Sequence, residues 1–194
     1  MARKKDKKKK IRKIIDIDQI LLRDRHLYLF ETVREKITKE LVQEMRALDR
    51  ISNRPITLWI NSPGGNIDCG FAIIDTIKGL RSPVITIISG EACSMAGIIS
   101  VAGKLRYITE NSTWMGHDMS GGIWGDYTTK VLDRAKMLEK LQKHVDEFLM
   151  EHTKLSKEDL KKATHGELWL DPYECLKKGI VDGVLSTRKR KRKK

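Results

Sequence analysis

A chain of 194 residues that is 40% apolar can bury one sizeable core and predicts a single domain. No apolar run of about eighteen residues occurs, which argues against a transmembrane helix, and Ile11–Leu22 is cut by Arg12, Lys13, Asp16, Asp18 and Gln19, which argues against a secretory leader. The net charge of +13 is carried by the ends: residues 1–14 contribute +8, residues 186–194 contribute +7, and residues 15–185 sum to −2. Residues 1–20 and 186–194 therefore read as basic disordered arms. They are able to touch phosphates non-specifically, but no base-reading motif or aromatic interleaving accompanies them. Cys69, Cys93 and Cys175 are odd in number and lack metal-ligand spacing, so the reading is a reducing, cytoplasmic setting with no disulfide, zinc or other metal.

His26–Phe30 alternates as a first strand. Val33, Ile37, Leu41, Val42, Met45 and Leu48 follow at helical spacing. Ser52-Asn53-Arg54-Pro55 turns the chain into a buried strand, Ile56–Ile60, which ends at Asn61-Ser62-Pro63-Gly64-Gly65. A helix is predicted from about Asn66 to Leu80, with Ile67, Phe71, Ile74 and Ile77 facing inward. Val84–Ile88 is a second buried strand, expected to break at Gly90. Ala92-Cys93-Ser94-Met95-Ala96-Gly97 then opens a helix small and apolar enough to be buried on all sides. Leu105–Thr109 and Thr113–Met115 are short strands.

Gly121, Gly122 and Gly125 mark a connection before the longest helix, from about Asp126 to His152. Ser156 with Asp159, and Asp171 with Glu174, are capping boxes that open two short helices, the second ending at Gly179. Alternating strands and helices give an α/β domain over 21–185 with a largely parallel sheet.

Two strand-to-helix turns carry the chemistry. Gly64 and Gly65 let consecutive N–H groups face one point, as an oxyanion requires. Ser94 stands where a strand turns sharply into a helix, the place for a nucleophile; the plainer reading is an N-cap serine. Parallel strands put both turns on one edge of the sheet.

Five histidines are candidates for the base. His144 and His152 lie off the long helix's apolar stripe and are expected to be solvated; His26 comes too early, and His165 sits in a polar loop. His117 stands at a strand's carboxyl end after the serine turn and is taken as the base. Periodicity leaves the carboxylate partner open among Glu167, Asp171 and Asp118. Cys93 reads as a packed thiol rather than a nucleophile.

Taken together, several stretches resemble the ClpP family, the serine peptidase subunits of ATP-dependent Clp proteases. They are Leu21–Arg25, Ile60–Gly65, Ala72–Ile77, Ala92–Gly97, Met115–His117 and Gly179–Asp182, and the likeness covers about Leu21 to Leu185. It implies a ClpP/crotonase-like fold, with stacked, largely parallel sheets, flanking helices and a protruding long helix. It implies Ser94 as nucleophile, His117 as base, and the Gly65 and Met95 N–H groups as oxyanion hole. Aligned backward from Gly179, it places Glu167 where the family has its aspartate, with Asp171 second.

The resemblance further implies homo-oligomeric rings, peptide or unfolded-protein substrates, an AAA+ unfoldase partner and no cofactor. Trp59 matches one aromatic of the family's ATPase-docking groove, whereas Thr57 and Gly79 occupy two others. A Lys/Arg arm replaces the apolar gate segment. Two other classes are weighed beside this one: a crotonase-like acyl-CoA enzyme, which needs the paired N–H groups but not Ser94 and His117, and a catalytically weak or structural subunit. A signal-peptide-peptidase reading would need a lysine base, and neither Lys104 nor Lys130 follows that pattern.

Overall fold

The structure, a computed structural model, describes residues 17–119 and 128–186. Most of the two basic arms and the Gly121–Gly125 connection lie outside the described residues. In chain order the elements are α1 (Ile17–Arg23), β1 (His26–Leu29), α2 (Glu35–Ile51), β2 (Ile56–Ser62), α3 (Ile67–Gly79), β3 (Val84–Cys93) and α4 (Met95–Val101). There follow β4 (Leu105–Thr109), β5 (Thr113–His117), α5 (Thr128–His152), α6 (Lys157–Thr164), β6 (Glu167–Leu170), α7 (Pro172–Lys177) and β7 (Gly183–Leu185). Helix α1 reaches back into the stretch expected to be a disordered arm: Leu22 packs its apolar side chain on the core and draws the turn before it into order.

The sheet is parallel except at one pair. Its main path runs β1-β2-β3-β4-β7, and β5 joins β3 while pairing antiparallel with β6. Buried side chains from β1, β2 and β3, among them Leu29, Leu58, Ile60 and Ile88, meet Leu41 and Met45 of α2 and Ile73 of α3 in one apolar core. Arg25, in the left-handed region at φ +67°, is buried beneath this layer. Its guanidinium donates to the carbonyls of Leu48 at 2.9 Å, Arg54 at 2.8 Å and Pro55 at 3.1 Å, tying the end of α2 to the start of β2.

Strand β3 does not break at Gly90, as the sequence pattern suggested. It kinks there and continues to Cys93. Register with β2 shifts between Ile60 and Ser62, so the first half of β3 pairs with β4 and the second half with β5. The backbone groups freed by the bulge find side-chain partners. Gly90 N–H donates to Ser112 Oγ at 2.8 Å, and Glu91 N–H donates to Asn61 Oδ1 at 3.1 Å. Gly90 has φ +114°, and a Cβ there would lie 2.4 Å from Asn61 Oδ1, so only glycine fits. This fork carries the chain past the main sheet and sets Ser94 at the end of a strand rather than inside a helix.

Candidate active site

Four segments converge at the carboxyl edge of the sheet. In the first, Ser62 is buried at the end of β2; its hydroxyl donates to the Glu31 carbonyl at 2.7 Å and accepts the Gly64 N–H at 3.2 Å, shaping the Pro-Gly-Gly turn. Gly64 and Gly65 adopt φ +95° and +147°. A Cβ on Gly64 would meet Ser94 Cβ at 2.7 Å and Met95 N at 2.9 Å, so the two turns touch. A parallel bridge to Val33 uses the Gly64 carbonyl and the Asn66 N–H, at 2.8 Å each. The intervening Gly65 N–H takes no part in that bridge.

The second segment is the corner between β3 and α4. Ser94 sits at φ +53°, ψ −128°, a strained conformation for a residue with a side chain, and makes no capping bond. Ser94 thus holds the N-cap position of α4 without using its hydroxyl as a cap. The corner is fixed by Ser94 N–H donating to the Met115 carbonyl at 2.8 Å and by Ile98 N–H donating to the Ser94 carbonyl at 3.2 Å. Met95 opens the helix, so its N–H has no intrahelical acceptor. Beneath, Trp114 Nε1–H donates to the Gly97 carbonyl at 3.1 Å and packs the helix against β5.

His117 ends β5, and with Ser94, Met95 and Gly65 it lines one cavity of about 240 Å³. Its Nδ1–H donates to the Asp118 carbonyl, which leaves Nε2 as the acceptor, the tautomer a base needs toward serine. Among the described residues no hydrogen bond joins His117 to Ser94 or to a carboxylate. Glu167 lies directly opposite His117 in the β5–β6 pair. Directly opposed residues of antiparallel strands project from one face with Cβ atoms about 5 Å apart. Its carboxylate is engaged elsewhere, accepting the Trp169 indole N–H at 2.8 Å.

The alternative acids have other work. Asp171 Oδ1 accepts the Tyr173 and Glu174 N–H groups, each at 2.8 Å, and caps α7. Asp118 Oδ1 accepts the Met119 N–H at 2.8 Å. His26 accepts the Trp59 indole N–H at 2.9 Å, and His165 closes α6. His152 departs from the solvated reading: it is half-buried, stacks on Phe148 at 4.4 Å and bonds the Phe148 carbonyl at 2.9 Å. Cys93 is buried, and burial, reinforced by Glu91 and Glu167, pushes its thiol up to about 11, which keeps it protonated and inert.

Sequence reasoning missed β6 altogether. Glu-Leu-Trp-Leu is four residues long and gains its strand character from β5 alone, so only the alignment backward from Gly179 pointed to Glu167.

A family model described as Clp protease matches residues 7–188. The chain belongs to the Clp protease family. It is 34% identical over 173 residues to the ATP-dependent Clp protease proteolytic subunit 1 of Chlamydia muridarum, covering 87% of this chain and 90% of that one. It is 31% identical over 174 residues to the ATP-dependent Clp protease proteolytic subunit of Lactococcus lactis subsp. cremoris, covering 88% and 87%. A ClpP1 point mutant from Listeria monocytogenes superposes with a TM-score of 0.79 at 26% identity, covering 88% of this chain and 96% of that one. The expected α/β fold and the serine peptidase function of the Clp family are both supported.

Proposed function

We propose that Ser94 attacks a peptide carbonyl, that His117 Nε2 takes its proton, and that the N–H groups of Gly65 and Met95 hold the resulting oxyanion. The proton then passes to the leaving amine, and water hydrolyses the acyl-enzyme by the same route in reverse. The observation that carries this reading is the strained Ser94 corner, free of a capping bond and sharing one cavity with His117 and both glycine-turn and helix-start donors. Glu167 is the acid that steadies the imidazolium. To reach His117 its carboxylate must leave the Trp169 indole, a side-chain rotation on a fixed cross-strand pair.

The wider setting follows the family. The chain works in the cytoplasm on peptides or unfolded protein, inside a ring of its own copies fed by an AAA+ unfoldase. No helix among the described residues is long and apolar enough to cross a membrane. The basic arms contact nucleic acid only non-specifically.

Labelling with a fluorophosphonate probe tests the site. Wild type is expected to gain one adduct at Ser94. Ser94→Ala abolishes labelling, and His117→Ala slows it by orders of magnitude. Labelling that survives in Ser94→Ala overturns the assignment and leaves the crotonase-like use of the paired N–H groups. A second reading, a subunit of low intrinsic activity, is favoured by one observation: His117 bonds a neutral carbonyl in place of a carboxylate.

A further inference from the structure

The cavity beside Ser94 has an apolar wall, including Ile98, Val145 and Leu149, and its ionisable lining is His117, Asp118 and Asp146. Among the described residues no lysine or arginine lines it. Asp146 is half-buried on α5 and held in place: its Oδ1 accepts the Gln142 Nε2–H at 2.8 Å, and Gln142 Oε1 accepts the Met119 N–H at 3.1 Å. Met119 N–H is shared with Asp118 Oδ1, so one chain of hydrogen bonds links both carboxylates across the mouth of the cavity. Burial, and secondarily the nearby Asp118, push the Asp146 carboxyl up, while the Gln142 bond pulls it down. A half-buried carboxylate at Asp146 and an exposed one at Asp118 border one apolar space that holds no lysine or arginine of the described residues, an environment that a cation relieves. Lys143 borders a neighbouring depression with the same two acids, but its ammonium is exposed and pairs with Glu147 at 3.8 Å.

We propose that this cavity receives the side chain on the acyl side of the cleaved bond, and that Asp146, with Asp118 at the mouth, selects lysine or arginine there. This rests on Ser94 being the nucleophile and names the specificity of that same site. A long aliphatic stem lies along Ile98 and Leu149 while its cationic head reaches Asp146. A leucine fills the apolar wall but leaves the Asp146 carboxylate desolvated and without a partner charge.

The test uses the full chain and two peptidyl diphenyl phosphonates that share one backbone and differ only in lysine or leucine at the acyl-side position. Ser94 Oγ bonds to phosphorus, phenoxide leaves, and the serine proton passes to His117, so intact mass reports the rate without any need for turnover. Wild type is expected to react at least about tenfold faster with the lysine probe. Asp146→Asn keeps an acceptor for Gln142 and should slow the lysine probe about tenfold while leaving the leucine probe within about threefold. Asp118→Asn should show a smaller loss of the same sign, and thermal midpoints matching wild type show that both variants fold.

Equal or faster reaction of the leucine probe in wild type overturns the proposal. So does an Asp146→Asn variant that slows both probes alike, which would make Asp146 only a support for Met119. A plain fluorophosphonate, which carries no side chain, separates the two levels. If it fails to modify Ser94, the nucleophile assignment falls and takes the proposal with it; if it labels Ser94 while lysine has no advantage, only the selectivity falls.

Discussion

At Glu167 and Trp169 a single hydrogen bond decides whether the proposed acid is free to reach His117. The carboxylate lies on the strand opposite the imidazole but is held by an indole N–H at 2.8 Å. Both side chains are exposed, so the bond contributes about 1 kcal/mol and competes on equal terms with a bond to His117. Trp169→Phe removes the competitor and is expected to raise kcat/KM for a short peptide about two- to fivefold. Glu167→Gln is expected to lower it at least about tenfold, because a neutral amide no longer stabilises the imidazolium. Steady-state hydrolysis by the two variants measured together decides the matter: if neither moves, the Asp118 carbonyl is the only group orienting His117. The places of Ser94, directly after β3, and of His117, at the end of β5, were legible in the sequence because small residues flank both turns. The partner of His117 was not, because the direction of an imidazole depends on a carbonyl one residue away that leaves no trace in residue type.

Among the elements, helix starts were the most legible features and the forked strand the least. The capping boxes of α6 and α7 are local, with both partners within four residues, so composition alone reveals them. Strand β3 continues past Gly90 only because Asn61 and Ser112, 30 and 22 residues away, supply its missing hydrogen bonds. No window of sequence contains that information. The α6 box also joins a tertiary lock: Asp159 accepts from Ser156 N–H at 2.9 Å and pairs with Lys178 at 2.6 Å, where α7 ends.

Lys178, then Ser156, hold the Asp159 carboxyl down at about 2 against an ordinary 3.8. A carboxyl lowered on folding stabilises the native state above its unfolded value and loses that contribution as pH falls toward its folded value. The shift corresponds to about 2 kcal/mol at pH 7. Urea unfolding of Asp159→Asn should therefore show a loss of about that size at pH 7 and roughly half of it at about pH 3. A loss that is the same at both pH values would assign the effect to packing rather than to the ion pair.

The whole molecule is not self-sufficient along α5. The carboxyl-terminal half of that helix buries Val145, Phe148 and Leu149 in the core, but Leu132 and Met137 nearer its start are 57% and 54% exposed. The amino-terminal half of the helix thus leaves large apolar side chains in water, which is a poor neighbour for them. A second copy that packs against Leu132 resolves this symmetrically, and each leucine fully covered contributes about 1.5–3 kcal/mol to the contact. Charge at that point should break the assembly without unfolding the chain, since residue 132 is more than half exposed and lies outside the core cluster. Leu132→Glu is expected to move the protein to smaller particles in sedimentation velocity at unchanged helical content. Peptide hydrolysis should fall with it by about tenfold or more, because the cavity beside Ser94 borrows Leu138, Gln142 and Asp146 from this same helix and is held in shape only while the helix is held. A Leu132→Glu protein that keeps the wild-type particle size would remove α5 from the interface and place the contact between copies on another face.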